Sequence, residues 1–217
     1  MTTSINNNSM EIEQSEQKYY QKREKEGVAP HYEVGWKNKE AQYARFRQLT
    51  RLFEEESSFS VNDLGCGNGE FYRFLMDRAT DKMVDYFGYD HMESMVLTSQ
   101  ERFPEIKHCF SVITACDEME TVDFTIASGI FNLKFETEER QWRNYMLETI
   151  DCMASKSRKG FGFNALSAYS DEEHKRPELF YSEPAWLWEE CVKRFGREIA
   201  LLHDYGQFDF TIIVRLV

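Results

Sequence analysis

At 217 residues the chain is long enough to bury a substantial core as one domain, and 41% hydrophobic and 15% aromatic residues with only 4 Pro describe a globular rather than a fibrous protein. With 26 Lys plus Arg against 38 Asp plus Glu, the formal charge of -12 opposes long-range attraction to nucleic acid or an anionic membrane. No apolar run reaches the roughly 20 residues of a membrane span, and the start "MTTSINNNSMEIEQ" has neither region of a signal peptide, so a cytoplasmic protein without a membrane partner is expected.

The elements follow in chain order. Residues 1 to about 30 are polar and charged, and "MEIEQSEQKYYQKREKEG" reads as a solvated helix. In "NKEAQYARFRQLTRLFEE", Tyr43, Phe46, Leu49 and Phe53 recur at helical spacing. From Phe59 strands and helices alternate: strand 59–64, helix 70–78, strand 84–90, helix 92–102, strands 108–113 and 122–128. A long helix carries Trp142, Met146, Ile150 and Met153 on one face. Strand 160–166, helix "PAWLWEECVKRF" and strands "EIALL" and "FDFTIIVRLV" complete the chain. The expectation is an α/β protein with a doubly wound, seven-stranded, mostly parallel sheet. One helix is weak or missing between 113 and 122, and the last two strands form an antiparallel hairpin. Residues 1–56 are taken as an N-terminal helical extension and 57–217 as the main domain. Five cysteines stand at 66, 109, 116, 152 and 191 with no CxxC pair, which favours reduced thiols over disulfides or a zinc cluster.

The most informative stretch is "VNDLGCGNGEFYRFL": apolar strand, three glycines, then a helix. Glycines let the backbone turn sharply and let a ligand approach the main chain. The dinucleotide fingerprint GxGxxG wants Gly or Ala where Glu70 stands, and it has no acid two places before its first glycine; a GxxxxGK phosphate loop is absent. A second acid, Asp90, ends the next strand, 21 residues after Gly69, where a carboxylate could accept both ribose hydroxyls.

The pattern DxGxGxG resembles the first motif of class I S-adenosylmethionine (SAM)-dependent methyltransferases, and the likeness extends over about residues 30 to 217. "VGWKNKEAQYARF", "ASGIFN", "GFGFNALSAYSD", "LFYSEP" and "LLHDYGQFDFT" look like blocks of a generically described bacterial small-molecule subgroup. The resemblance implies SAM as cofactor and S-adenosylhomocysteine (SAH) as product. It also implies that Asp63 faces the ammonium group, Gly65, Cys66, Gly67, Asn68 and Gly69 cradle the amino-acid end, and Asp90 binds ribose between flanking His91 and Met92. Ala115, Cys116 and Asp117, after the third strand, become candidates for adenine contact or remain an ordinary loop. Ser128, Gly129 and Ile130 would lie beneath the methyl group.

"HYEVGWKNKEAQYARF" reads as a lid with Trp36 or Tyr32 over the sulfonium by cation-π attraction, or as a staple on the core, and Gln42 or Arg45 could reach the methionine carboxylate. For the acceptor, Asn132, Asn164, Tyr169, Tyr181 and Tyr205 are the candidate contacts. His203 is the candidate base, with Asp204 orienting its ring, because a parallel sixth strand ending near Leu202 delivers "HDY" to the same rim as Gly65 and Asp90; "HDYGQ" also reads as a plain polar turn. The absence of an NPPY block lowers the case for a DNA-base or glutamine nitrogen, and metal-assisted transfer is not expected because the fourth strand ends in Ser128. A small polar acceptor, hydroxyl before nitrogen, is the favoured substrate. The alternatives are an N-methyltransferase, a non-catalytic SAM-binding regulatory module and a nicotinamide oxidoreductase.

Overall fold

The structure, a computed structural model, describes residues 39–78 and 81–216. Its first element is helix α1 (Lys39–Thr50), and the alternating array then begins: β1 (Ser58–Leu64), α2 (Glu70–Met76), β2 (Met83–Asp90), α3 (Glu93–Arg102) and β3 (Phe110–Val112). It continues through β4 (Val122–Ala127), α4 (Glu139–Ser155), β5 (Ser157–Leu166), α5 (Pro184–Phe195), β6 (Ile199–Leu202) and β7 (Asp209–Arg215). The seven strands lie in the order β3-β2-β1-β4-β5-β7-β6. All pairs are parallel except those made by β7, which runs antiparallel to both β5 and β6. Strand order reverses between β1 and β4, so the crevice outside their carboxyl ends is where an open α/β sheet takes ligands.

Alternation along the strands divides the core into two layers. Ile213 packs on one face of the sheet with Tyr43, Phe46 and Leu49 of α1 and Phe71 and Phe74 of α2. Its neighbours Ile212 and Val214 pack on the other, against Trp142, Met146, Ile150 and Met153 of α4 and Leu187 of α5. The extension helix α1 therefore shares its core with the sheet that the sequence assigned to a separate segment.

Two expectations are corrected, and one is met. The third strand is only Phe110–Val112, because Pro104 opens a 3-10 turn, Pro104–Cys109, that takes up the residues expected to begin it. The crossover expected to have a weak or missing helix has only a 3-10 turn, at Cys116–Glu118. Cys116 and Cys152 are joined by a disulfide across 36 residues, with Cα atoms 6.2 Å apart, which the absence of any short cysteine spacing hid; Cys66, Cys109 and Cys191 are free. Among the described residues no helix is long and apolar enough to cross a membrane.

Candidate active site

The glycine loop is shaped by three left-handed turns, at Gly65 (φ 76°), Gly67 (φ 54°) and Gly69 (φ 76°). Side chains are excluded there for a second reason. A Cβ on Gly65 would run into Ile130, and one on Gly69 would come within 2.8 Å of the Phe103 ring. The loop is tied to the neighbouring strand: the Gly65 and Cys66 N–H groups donate to the Tyr89 carbonyl at 2.8 and 2.9 Å.

Asp90, at the end of β2, is the keystone. One carboxylate oxygen accepts the Gly67 N–H and the other the Met92 N–H, both at 2.9 Å. Each oxygen retains a lone pair, and the side chain sits where β2 meets the crevice. His91 Nδ1 lies 3.7 Å from Asp90, and Met92 is buried at the start of α3, so its side chain belongs to the wall rather than to an open surface. The back of the loop is held by the Ser99 hydroxyl, which donates to the Gly67 carbonyl at 2.8 Å, and by Arg102, which donates to the Asn68 carbonyl.

Asp63 lies one layer beneath the rim, only 2% exposed, accepting the Tyr86 hydroxyl at 2.7 Å. Burial raises its carboxyl pKa to about 7, the Tyr86 bond opposes the rise, and the nearby Asp90 charge adds to it. Its folded pKa lies above the unfolded one, so the folded state binds the extra proton. The stability tied to protonated Asp63 is complete below about pH 4 and is lost as pH rises to about 7. Asp63→Asn is expected to remove this slope and to raise stability at pH 8 by about 1–2 kcal/mol, read as the difference between urea midpoints at pH 5 and 8. An unchanged slope would show that Asp63 does not titrate there.

Glu70, the residue that breaks the dinucleotide pattern, is buried at the start of α2 and gathers three elements. It accepts the Tyr43 hydroxyl at 2.8 Å, pairs with Arg73, and binds Arg102 at 2.9 Å. Burial pushes its pKa up, but the hydrogen bonds from Arg102 and Tyr43 and the Arg73 charge outweigh it and hold the carboxyl below its usual range. Glu70→Gln is expected to cost about 1–2 kcal/mol above pH 5, and the difference from wild type should shrink as pH falls through the depressed pKa. Equal Tm values for the two proteins at pH 7 would contradict this.

The loop after β4 meets the glycine loop through Ile130. Gly129 (φ 92°) donates its N–H to the Asn164 side-chain oxygen at 3.0 Å, and the Ser128 hydroxyl is buried without a hydrogen-bond partner. Asn164 in turn donates to Asp209 at 3.2 Å, and Asp209 is ion-paired with Arg45 of α1. Two expectations change here. Asn164 is fully buried with both ends of its amide engaged, so it braces Gly129 instead of meeting an acceptor; Arg45 is committed to Asp209 instead of standing open for a methionine carboxylate. Sequence reasoning missed Asp209 and its pairing, although an acid opening the apolar run "FDFTIIV" is a signal of a buried charge that needs a partner.

Other residues fall as follows. Asn132 uses its side-chain oxygen to accept the Leu166 N–H at 3.2 Å and so links the loop after β4 to the end of β5. Tyr181 holds its own insert, its hydroxyl accepting the Arg176 N–H at 3.0 Å. The Tyr205 hydroxyl shares a hydrogen bond with Thr211 at 3.1 Å, and burial next to Asp209 pushes its pKa well up, so it is not poised to take a proton. Tyr169 is 78% exposed, with its ring 6.3 Å from that of His203, and His203 also meets Phe210 edge-on at 6.0 Å. Strand β6 does run parallel to β5 and does bring His203 to the carboxyl rim. No hydrogen bond among the described residues joins His203 to Asp204, and both are exposed, so Asp204 does not orient the ring as expected. Ala115 is exposed, its N–H bonded to Glu118 at 2.9 Å, while Cys116 is held in the disulfide. Trp36 and Tyr32 lie outside the described residues.

No family model matches the chain. It is 37% identical over 165 residues, 76% of this chain and 98% of the relative, to a Mycobacterium tuberculosis (strain ATCC 25618 / H37Rv) protein named "Putative methyltransferase Rv1506c". Its fold resembles that of the magnesium protoporphyrin IX methyltransferase of Synechocystis PCC 6803 with bound SAH, with a TM-score of 0.60 at 13% identity over 82% of this chain and 84% of that one. A SAM-dependent methyltransferase from Aquifex aeolicus is similar at a TM-score of 0.57 and 16% identity, over 88% of this chain and 100% of that one. The chain belongs to the methyltransferases, and its fold is that of the SAM-dependent members of class I.

Proposed function

We propose that this methyltransferase binds SAM in the crevice between the glycine loop and Asp90 and transfers its methyl group to a hydroxyl of a small polar acceptor, a sugar or secondary metabolite being the kind of molecule that fits. The observation that carries the reading is the double engagement of Asp90, which holds the loop through Gly67 and keeps acceptor capacity at the strand end. Two other features support the same ligand: three left-handed glycines that bend the loop tightly at the strand end, and a buried Ser128 hydroxyl without a partner. A sulfonium supplies an already reactive methyl group, so the protein's contribution is alignment and exclusion of water.

Each residue then has a defined task. Asp90 takes ribose hydroxyls, the Gly65–Gly69 backbone approaches the amino-acid end, and the Ser128–Ile130 bend sets the floor where the acceptor enters. His203, at the rim beside Tyr169, receives the acceptor's proton on its imidazole when that acceptor is a hydroxyl. A formal charge of -12 supports a small acceptor over a nucleic acid.

The test is transfer from methyl-labelled SAM to paired acceptors that differ only in carrying a hydroxyl or an amine. Label on the hydroxyl members alone supports the reading. Label on the amines alone makes the protein an N-methyltransferase, and tight SAM binding with no transfer across the panel favours a regulatory module.

A further inference from the structure

We propose that Cys116 and Cys152 form a reversible redox site whose closure by hydrogen peroxide tightens the cofactor crevice beside it. The two sulfurs belong to different elements, the turn after β3 and the outer helix α4, and they are already paired in the structure. Both residues are half-buried and so open to a small oxidant. The Lys156 ammonium, at the residue that ends α4 four positions after Cys152, donates to the carbonyl of Asp117, next to Cys116, and so ties the same two elements together beside the sulfurs.

The other three thiols stand apart from this pair. Burial raises all of them, with Cys191 pushed up to about 12, and Cys66 and Cys191 are enclosed in the core. The chemistry balances without a further reactant. One thiolate attacks the peroxide O–O bond and becomes a sulfenic acid as hydroxide leaves and is protonated to water. The second thiol then displaces the sulfenic hydroxyl as a second water, leaving the disulfide. Two thiols are oxidised by two electrons and one hydrogen peroxide is reduced to two waters; two equivalents of a small thiol return the dithiol by exchange, leaving as their own disulfide.

Position links this bond to the crevice. Val112, the last residue of β3, is in register with Asp90, and the Ile113 N–H donates to the Asp90 carbonyl at 3.1 Å, so Cys116 lies four residues beyond the strand end that adjoins the ribose acid. A nucleoside with its ribose on Asp90 and its amino-acid end on the β1 loop must send its base toward this β3 side. The wall there is built from Ile113 and Met119, with Cys116 packed against them. Its turn is closed by Glu118, which accepts the Thr114 and Ala115 N–H groups at 2.8 and 2.9 Å. The disulfide pins that turn to α4, which removes motion that binding would otherwise have to freeze.

The inference rests on the cofactor placement proposed above, and the experiment separates the two. Full-length protein is reduced with dithiothreitol or treated with one equivalent of hydrogen peroxide, alkylated and digested for mass mapping, and each form is titrated with SAH by calorimetry. The expected result is a Cys116–Cys152 cross-link in the oxidised sample and roughly three- to tenfold tighter SAH binding than in the reduced one. Cys152→Ser should keep the reduced affinity under both treatments. A different cross-link, none at all, or equal affinities in the two states would overturn the proposal. If neither state binds SAH, the cofactor reading falls and the coupling with it, while the peptide map still decides whether the pair is the redox site.

Discussion

Arg45→Met destabilises the protein by about 3–5 kcal/mol, the loss expected when one member of a buried ion pair is removed and the other stays behind. Asp209 is fully buried and Arg45 nearly so, which among the described residues leaves the carboxylate with the Asn164 amide alone to offset its desolvation. The damage reaches the active site, because Asn164 also holds the Gly129 N–H and hence the bend whose Ile130 covers Gly65. Replacing both members, Arg45→Met with Asp209→Leu, should recover much of the loss by removing the orphaned charge. Urea unfolding measures both proteins. A single variant within 1 kcal/mol of wild type would mean that the pair is not buried as described.

Asp90→Ala weakens binding of SAM or SAH about a hundredfold, close to 2.7 kcal/mol and near the upper end for hydrogen bonds to a charged group. The variant removes the acceptors for the ribose and also the partners of the Gly67 and Met92 N–H groups, so the loop loses its shape together with its ligand. Asp90→Asn should fall between, since its amide keeps one acceptor but turns an N–H₂ toward a backbone donor. Calorimetry separates the three proteins, and an affinity within threefold of wild type for Asp90→Ala would remove Asp90 from the binding surface.

The parts of this molecule that were legible in the sequence are those encoded over short distances. Three glycines at alternate positions between an apolar strand and an amphipathic helix leave few readings, and the structure explains why in terms of positive φ angles and of Ile130 and Phe103 pressed against the loop. The late strands were equally readable: alternation around Ile212 and Ile213 reports two covered faces, and "HDYGQ" a turn between antiparallel neighbours. What stayed hidden depends on tertiary proximity. Arg45 and Asp209 are 164 positions apart, and nothing local tells an arginine on a helix that its partner opens the last strand. Asn164 looked like an acceptor contact because it ends near a ligand-bearing rim, yet the closing strand covers it completely. The Cys116–Cys152 bond joins two elements that only the fold places side by side, and Pro104 moved the start of β3 by substituting a 3-10 turn for extended chain.

The most direct measurement is diffraction from crystals grown with saturating SAH. The account predicts the ribose hydroxyls on the Asp90 carboxylate and the amino-acid end along Gly65–Gly69, with the sulfur turned toward the Ser128–Ile130 bend. Density for the ligand elsewhere, or a crevice that stays vacant with SAH yet fills with a pyrophosphate-bearing dinucleotide, would contradict it.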